Sequence, residues 1–350
     1  MSDHMNEPVT ATEDLRSLPV ENTRMVPHKG LFEPQIISGL CHQWLVYNDV
    51  SENSRRKYTQ WLKSFAQWIR GQGIEEPVRE DIIRYRDELA REKQPTTVNN
   101  YLRAVKSFYR FLETAGIRKD ITRGIRAMKL EPGFRKGYLN EEQCAQVIET
   151  QTDEPAPDES EAARERQRLT RARNRALLIL IMTTGLRTIE VRRADYGDIQ
   201  IQGHSRILYV QGKGKSEKGQ YVKIPDETWE CLKEYLRMRG PLQARDPLFA
   251  SVSNRDSGER LTTRSISRIC KDALVKADLN SSRLTAHSLR HTSATLALKN
   301  GASVEQVQQV LRHANINTTM IYVHDIDREQ NAAEDLVARA IFDELTPDSR

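Results

Sequence analysis

Apolar residues recur at three- and four-residue intervals along most of this chain, a spacing that predicts a mainly helical protein. Residues 34–49 predict a first amphipathic helix. Residues 51–71 predict a second, capped by Ser51 or Asn53, with Tyr58, Trp61, Leu62, Phe65, Trp68 and Ile69 turned inward. Its opposite stripe carries Arg56, Gln60, Lys63, Gln67 and Arg70. Residues 80–92 predict a third helix and residues 97–114 a fourth. The fourth buries Val98, Leu102, Val105, Tyr109 and Leu112, while Asn99, Arg103, Lys106 and Arg110 share an outer face. The aromatic residues of this region read as core rather than as platforms for stacked bases.

Helical periodicity lapses over residues 117–137, which are basic and contain Gly and Pro, and this stretch reads as a linker. It resumes at Asn140, a cap followed by Glu141, Glu142 and Gln143. Residues 152–161 are acidic and proline-bearing and read as a disordered surface loop. A helix over 169–184 carries the run ALLILIM and should centre a second core. Gly185 breaks it, and a further helix runs to Arg193. Between 196 and 225 the apolar period falls to two. Ile199 and Ile201, then Ile207, Tyr209 and Val210, then Tyr221, Val222 and Ile224 predict three short antiparallel strands. Gly212, Gly214 and Gly219 mark the turn between the last two. Helices are expected again at 226–239, 263–277, 286–300, 303–312 and 315–323. In the last segment, 327–345, Leu336, Val337, Ala340, Ile341 and Leu345 fall on one face, suited to a partner subunit.

The length of 350 residues accommodates two domains. No run approaches the ~20 apolar residues of a membrane helix, and the polar, acidic start carries no secretory signal. Cys41, Cys144, Cys231 and Cys270 lack metal-ligand spacing and read as reduced, mostly buried cysteines of a cytoplasmic protein. Charge is unevenly spread. Residues 53–136 hold 20 Lys and Arg against 10 Asp and Glu, whereas residues 137–350 hold 31 of each. That local excess points to a polyanion as partner. Arg56, Lys63, Asn99, Arg103, Lys106 and Arg110 are the DNA-binding candidates: Asn and Arg suit base edges, and Lys suits phosphate.

Candidate chemistry concentrates towards the C-terminus. His287 and Arg290 lie one turn apart at a helix start that Thr285 can cap. His313 follows, and Tyr322 lies nine residues further on. Upstream, Arg187 follows Gly185, with Glu190 placed at i+3 to orient its guanidinium. Lys213 sits in a Gly-Lys-Gly turn, where Lys215 and Lys218 are rivals. Arginine forks, imidazoles and the N–H groups of a helix N-terminus all bind phosphate. His291 points away from Arg290 and reads as supporting structure. The pattern GxxxxGK[ST] is absent, and the histidines lack metal-site spacing; no cofactor and no metal is expected.

The segments TTGLRTIEV, GKGKSEKGQYVKIP, HSLRHTSAT and LRHANINTTMIYVH resemble, in order and spacing, the motif boxes of tyrosine recombinases of the phage-integrase and Xer type. The resemblance implies a helical, SAM-like core-binding domain at 34–116, preceded by a flexible tail at 1–33. A basic linker at 117–137 would lead to a mixed α/β catalytic domain with a small antiparallel sheet at 138–326. Residues 327–350 would form a subunit-exchange segment. It also implies that Arg187, Arg290, His287 and His313 hold the scissile phosphate, that Lys213 is the general acid, and that Tyr322 is the nucleophile of a 3′-phosphotyrosine intermediate. The substrate would be duplex DNA with an inverted-repeat site, encircled by the two domains and bound by a homotetramer. The role expected is that of a mobile-element integrase. The alternatives are a Xer-like dimer resolvase and, in another class, a catalytically silent DNA-binding regulator; a type IB topoisomerase or telomere resolvase would share the chemistry. Arg312, where Xer-like members usually carry Gly, and the 152–161 insertion depart from the family pattern.

Overall fold

A computed structural model describes residues 30–48, 50–130, 137–152, 160–212, 217–330 and 333–345. The chain divides into two compact units, Met1–Pro132 and Gly133–Arg350. Of the expected tail at 1–33, residues 1–29 lie outside the described residues, as does most of the acidic segment, whereas Leu31 and Phe32 are buried in the core of the first unit and are not tail.

The first unit is built from α1 (Pro34–Tyr47), α2 (Glu52–Gly71), α3 (Arg79–Glu92) and α4 (Pro95–Thr114). Their inward stripes meet in one core that includes Trp44, Phe65, Ile82, Val105 and Phe108, all fully buried. Trp44 packs edge-on against Phe108 at 5.6 Å and donates from Nε1 to Ser107 Oγ at 3.2 Å. The aromatic side chains are thus core, as their spacing predicts.

Residues 117–130, expected to be a linker, fold back onto this unit. Ile125 is buried in the core. Four side chains hold the segment's backbone: Asn99 Nδ2 donates to Met128 O at 3.0 Å, Arg86 Nη1 to Arg126 O at 3.3 Å, Arg79 to Arg123 O and Lys106 to Ile125 O. Met128 N returns a bond to Asn99 Oδ1 at 2.7 Å. A linker without side-chain partners would leave those carbonyls to water. Here an irregular strap is tied down by α3 and by the face of α4 that periodicity marked as outward.

In the second unit the element order is α5 (Glu141–Glu149), α6 (Glu161–Thr184), α7 (Thr188–Arg193), β1 (Ile199–Gln202), β2 (Ser205–Val210), β3 (Gln220–Ile224), α8 (Asp226–Arg239), α9 (Thr263–Lys276), α10 (Ala286–Lys299), α11 (Val304–Leu311), α12 (Asn317–Gln330) and α13 (Ala333–Leu345). Asn140 caps α5 through a reciprocal bond pair with Gln143. Helix α6 is two turns longer than the apolar pattern predicts. Ser160 accepts from Ala163 N at its start, and Arg164 pairs with Glu161, so polar side chains stabilise a stretch with no apolar stripe. Its apolar half, with Leu177, Leu178, Leu180 and Ile181 fully buried, packs against α8 and α10. The three strands pair antiparallel in sequence order, in the register Ile199↔Leu208 and Leu208↔Val222. Only Cys270 of the four cysteines is fully buried, fewer than composition suggested; the other three are partly exposed.

Candidate active site

Helix α6 ends at Gly185, which adopts a left-handed φ of +61°. A Cβ there would stand 2.5 Å from Leu311 Cδ2, so the turn also needs the missing side chain. The turn presents Arg187 as the residue preceding α7. Glu190, fully buried, accepts from Arg187 Nη1 at 2.8 Å and from the Arg187 backbone N at 2.8 Å. The expected i, i+3 pair is therefore an interior brace that aims a partly exposed guanidinium. Burial opposes ionisation of Glu190. The ion pair with Arg312 and the bonds from Arg187 outweigh it and hold the carboxyl below the usual carboxylate range.

Helix α10 delivers the next two groups. Thr285 N donates to Ser288 Oγ at 3.0 Å, but Thr285 Oγ1 is buried with no hydrogen-bond partner among the described residues, so its side chain is not the cap expected. His287 is exposed on the first turn, while Arg290 is 1% exposed. Arg290 donates through Nη1 to Gly185 O and through Nη2 to Leu311 O, which ties together the ends of α6 and α11. Burial, then the neighbouring Arg187 charge, pull its pKa down to about 9, which leaves it protonated at neutral pH. Arg187, His287 and Arg290 line one cavity of about 500 Å³. Arg187 and His313 line a second of about 1100 Å³, bordered by Gly212 and Gly219 at the ends of the β2–β3 turn. Lys213 and Lys215 themselves lie outside the described residues. Their rival Lys218 is engaged with Asp195 at 2.5 Å and Asp198 at 2.6 Å.

His313 Nδ1 lies 3.0 Å from Thr319 Oγ1, a fully buried hydroxyl. Burial first, and then the Arg290, Arg187, Arg312 and His287 charges, push the imidazole down to about 4. It is neutral at physiological pH. Tyr322 is 5% exposed, with its ring among Ala294, Val307 and Leu311. It is near enough to Arg290 to favour the charged guanidinium. His291, set aside by sequence reasoning, stands between two of the candidates. Its ring is 4.6 Å from His287 and 5.1 Å from Tyr322.

Sequence reasoning missed Lys271, Thr319 and the use made of Arg312. Lys271 lines the smaller cavity and donates to Ser281 O at 2.8 Å. Each is positioned by an element distant in sequence or by a helix start, so no periodicity marks it. Among the DNA-binding candidates, Arg56, Lys63, Arg103 and Arg110 are exposed. Asn99 and Lys106 are corrected: their polar atoms hold the 117–130 strap instead of facing outward. Among the described residues, no group of three His, Cys, Asp or Glu could hold a metal, and no helix is long and apolar enough to cross a membrane.

Two guanidiniums and two imidazoles line two cavities that share Arg187, with a phenol close by, a set of groups chemically suited to an anion such as a phosphodiester. Comparison identifies the family. Residues 156–329 match the phage integrase family, and residues 43–116 match the phage integrase N-terminal SAM-like domain. Tyrosine recombinase XerC of Pelobacter propionicus is 30% identical over 80% of this chain and 87% of its own length. The XerH site-specific recombinase, solved with a palindromic difH substrate in a post-cleavage complex, aligns with a TM-score of 0.67 at 20% identity, covering 86% of this chain and 84% of that one. A lambda integrase tetramer bound to a Holliday junction aligns at 0.61 and 18%, covering 82% and 76%. The chain belongs to the tyrosine recombinase family, and it is a site-specific recombinase that cleaves and rejoins DNA.

Proposed function

We propose that Arg187, His287, Arg290 and His313 bind the scissile phosphate of duplex DNA and that Tyr322 attacks it. The phenolic oxygen bonds to phosphorus as the bond to the 5′ oxygen breaks. Lys213 gives its proton to that oxygen, and His287 accepts the proton of the phenol. The product is a 3′-phosphotyrosine and a 5′-hydroxyl. Bond energy is retained, so the reverse attack reseals the strand without an external energy source. Charge accumulating on the phosphoryl oxygens is met by fixed guanidiniums in a largely buried site, where such charges act most strongly. The observation that carries this reading is the placement of Arg187 on both cavities, with His287 and Arg290 on one and His313 on the other. The buried Tyr322 ring has to turn outward for attack, so movement of α12 is part of the proposed cycle. A nicked suicide substrate tests the assignment. Wild type should trap a covalent protein–DNA band and Tyr322→Phe should not; a trapped band with the variant rejects Tyr322 as nucleophile.

The proposed partner is a DNA site with inverted repeats, contacted by exposed Arg56, Lys63, Arg103 and Arg110 of the first unit, in the cytoplasm. A homotetramer would complete strand exchange, as the lambda integrase tetramer on a Holliday junction suggests, with α13 supplying the intersubunit contact. Leu336, Val337 and Ile341 on that helix are 62%, 59% and 54% exposed, which supports the assignment. The biological role proposed is integration of a mobile element. The Xer names among the relatives favour a second reading, resolution of chromosome or plasmid dimers. Deletion between directly repeated sites on one plasmid, against joining of two different plasmids, separates the two.

A further inference from the structure

Arg312 stands where the backbone favours glycine. It follows α11 with φ +55° and ψ +46°. Its N–H donates to Gln309 O at 3.0 Å, and the next N–H, of His313, reaches back to Gln308 O at 3.1 Å. This is a Schellman exit, and its left-handed residue is strained when it carries a side chain. The side chain is also buried, at 3% exposure, with Nε lacking a partner among the described residues. A strained backbone and a desolvated guanidinium are both unfavourable, and the helix exit itself requires neither.

The contacts indicate what is gained. Arg312 Nη2 donates to Glu190 Oε2 at 2.7 Å and, more weakly, to Gly185 O at 3.4 Å; Nη1 donates to Val310 O. Glu190 is the carboxylate that holds Arg187, and Gly185 O is an acceptor of Arg290. One fully buried carboxylate therefore links Arg187 to the residue immediately before His313. Two arginines share a single negative charge, so one positive charge remains uncompensated beside the phosphate site. Without Arg312, Glu190 would offset Arg187 alone.

We propose that Arg312 is a positioning residue for the recombination reaction: through Glu190 it fixes the His313 segment against Arg187 and leaves the Arg187 charge available to the phosphate. The inference rests on the assignment of Arg187 and His313 to that phosphate. The charged and titratable groups around His313 are Arg187 and Glu190 from the α7 end, His287 and Arg290 from α10, and Arg312 on its own segment; Lys213 of the β2–β3 turn lies outside the described residues. Loss of Arg312 removes one of the positive charges that keep His313 neutral.

The test is Arg312→Gly, because glycine adopts the left-handed exit without strain. Single-turnover cleavage of a suicide substrate, DNA affinity, melting temperature and the NMR titration midpoint of His313 are measured together. The expected result is a folded protein with wild-type affinity for DNA, cleavage slower by about 10- to 100-fold, and a His313 midpoint above that of wild type. Arg312→Lys, which keeps the charge but loses the fork, should restore the midpoint and only part of the rate. It also serves as the probe if the glycine variant fails to fold. Wild-type cleavage by Arg312→Gly overturns the proposal, as does a slower rate accompanied by a lowered melting temperature and an unmoved midpoint. Arg187→Ala is run alongside: if it cleaves normally, the phosphate assignment has failed instead.

Discussion

Glu190 bears the most on the site for its size. It has no exposure to solvent, two basic partners and a carboxyl held ionised below its usual range. Replacing it with Gln leaves two guanidiniums competing for a neutral amide. Removal of one member of a buried ion pair destabilises by about 3–5 kcal/mol. Glu190→Gln should show that loss in urea denaturation at neutral pH. The pH dependence has a definite sign. A carboxylate with a depressed folded pKa contributes stability above its unfolded value of about 4.3, and that contribution disappears as pH falls through the folded value. His313 acts in the same direction over a higher window. It stays neutral to about 4 when folded, so stability declines as pH drops below the ordinary histidine value of about 6.5. Wild type should therefore lose stability from about pH 6.5 downward, and the Glu190→Gln curve should be flatter below about pH 4.3. Parallel curves would remove Glu190 from the account.

At the scale of elements, the strap at 117–130 shows how one helix face can be misread. On α4, the spacing of Asn99, Arg103, Lys106 and Arg110 placed all four on an outer surface. Two of them face solvent, and two face a segment with no periodicity of its own. Asn99→Ala removes both bonds to Met128 and leaves backbone groups to find water. The expected cost is about 1–3 kcal/mol, read by urea denaturation, together with faster proteolysis near Met128. DNA site preference should not change, since the side chain is engaged elsewhere. A variant with wild-type stability and an altered site preference would return Asn99 to base reading. The helix ends follow local chemistry more closely. Asn140, Ser160, Thr262 and Ser303 all stand before helices and accept bonds from their first turns. Helix α12 departs from expectation. It continues to Gln330, well beyond the predicted end at 323, so the boundary drawn at 326 falls inside a helix.

At the scale of the whole molecule, the intersubunit role proposed for α13 is open to a direct test. Truncation after Gln330 leaves α12 complete. It should preserve binding to a single DNA site and abolish synaptic complexes on native gels; undiminished synapsis would exclude α13 from the interface. How much was legible beforehand depends on the range of the forces involved. The sequence by itself determined most helices, the three strands and their order, the two cores and the set of catalytic candidates, because periodicity, capping and turn residues act over a few positions. The convergence of Arg187, Arg290 and His313 was legible only through motif order, with no physical distance attached. Tertiary structure alone decided that Glu190 and Arg312 are buried together, that Gly185 serves two guanidiniums, that His291 lies against Tyr322, and that Asn99 holds a strap. Each depends on residues far apart in the chain or on a backbone turn that carries no composition signal. Burial then sets which charges are strong, since a guanidinium shielded from water interacts with a carboxylate or a phosphate far more than the same group on an open surface.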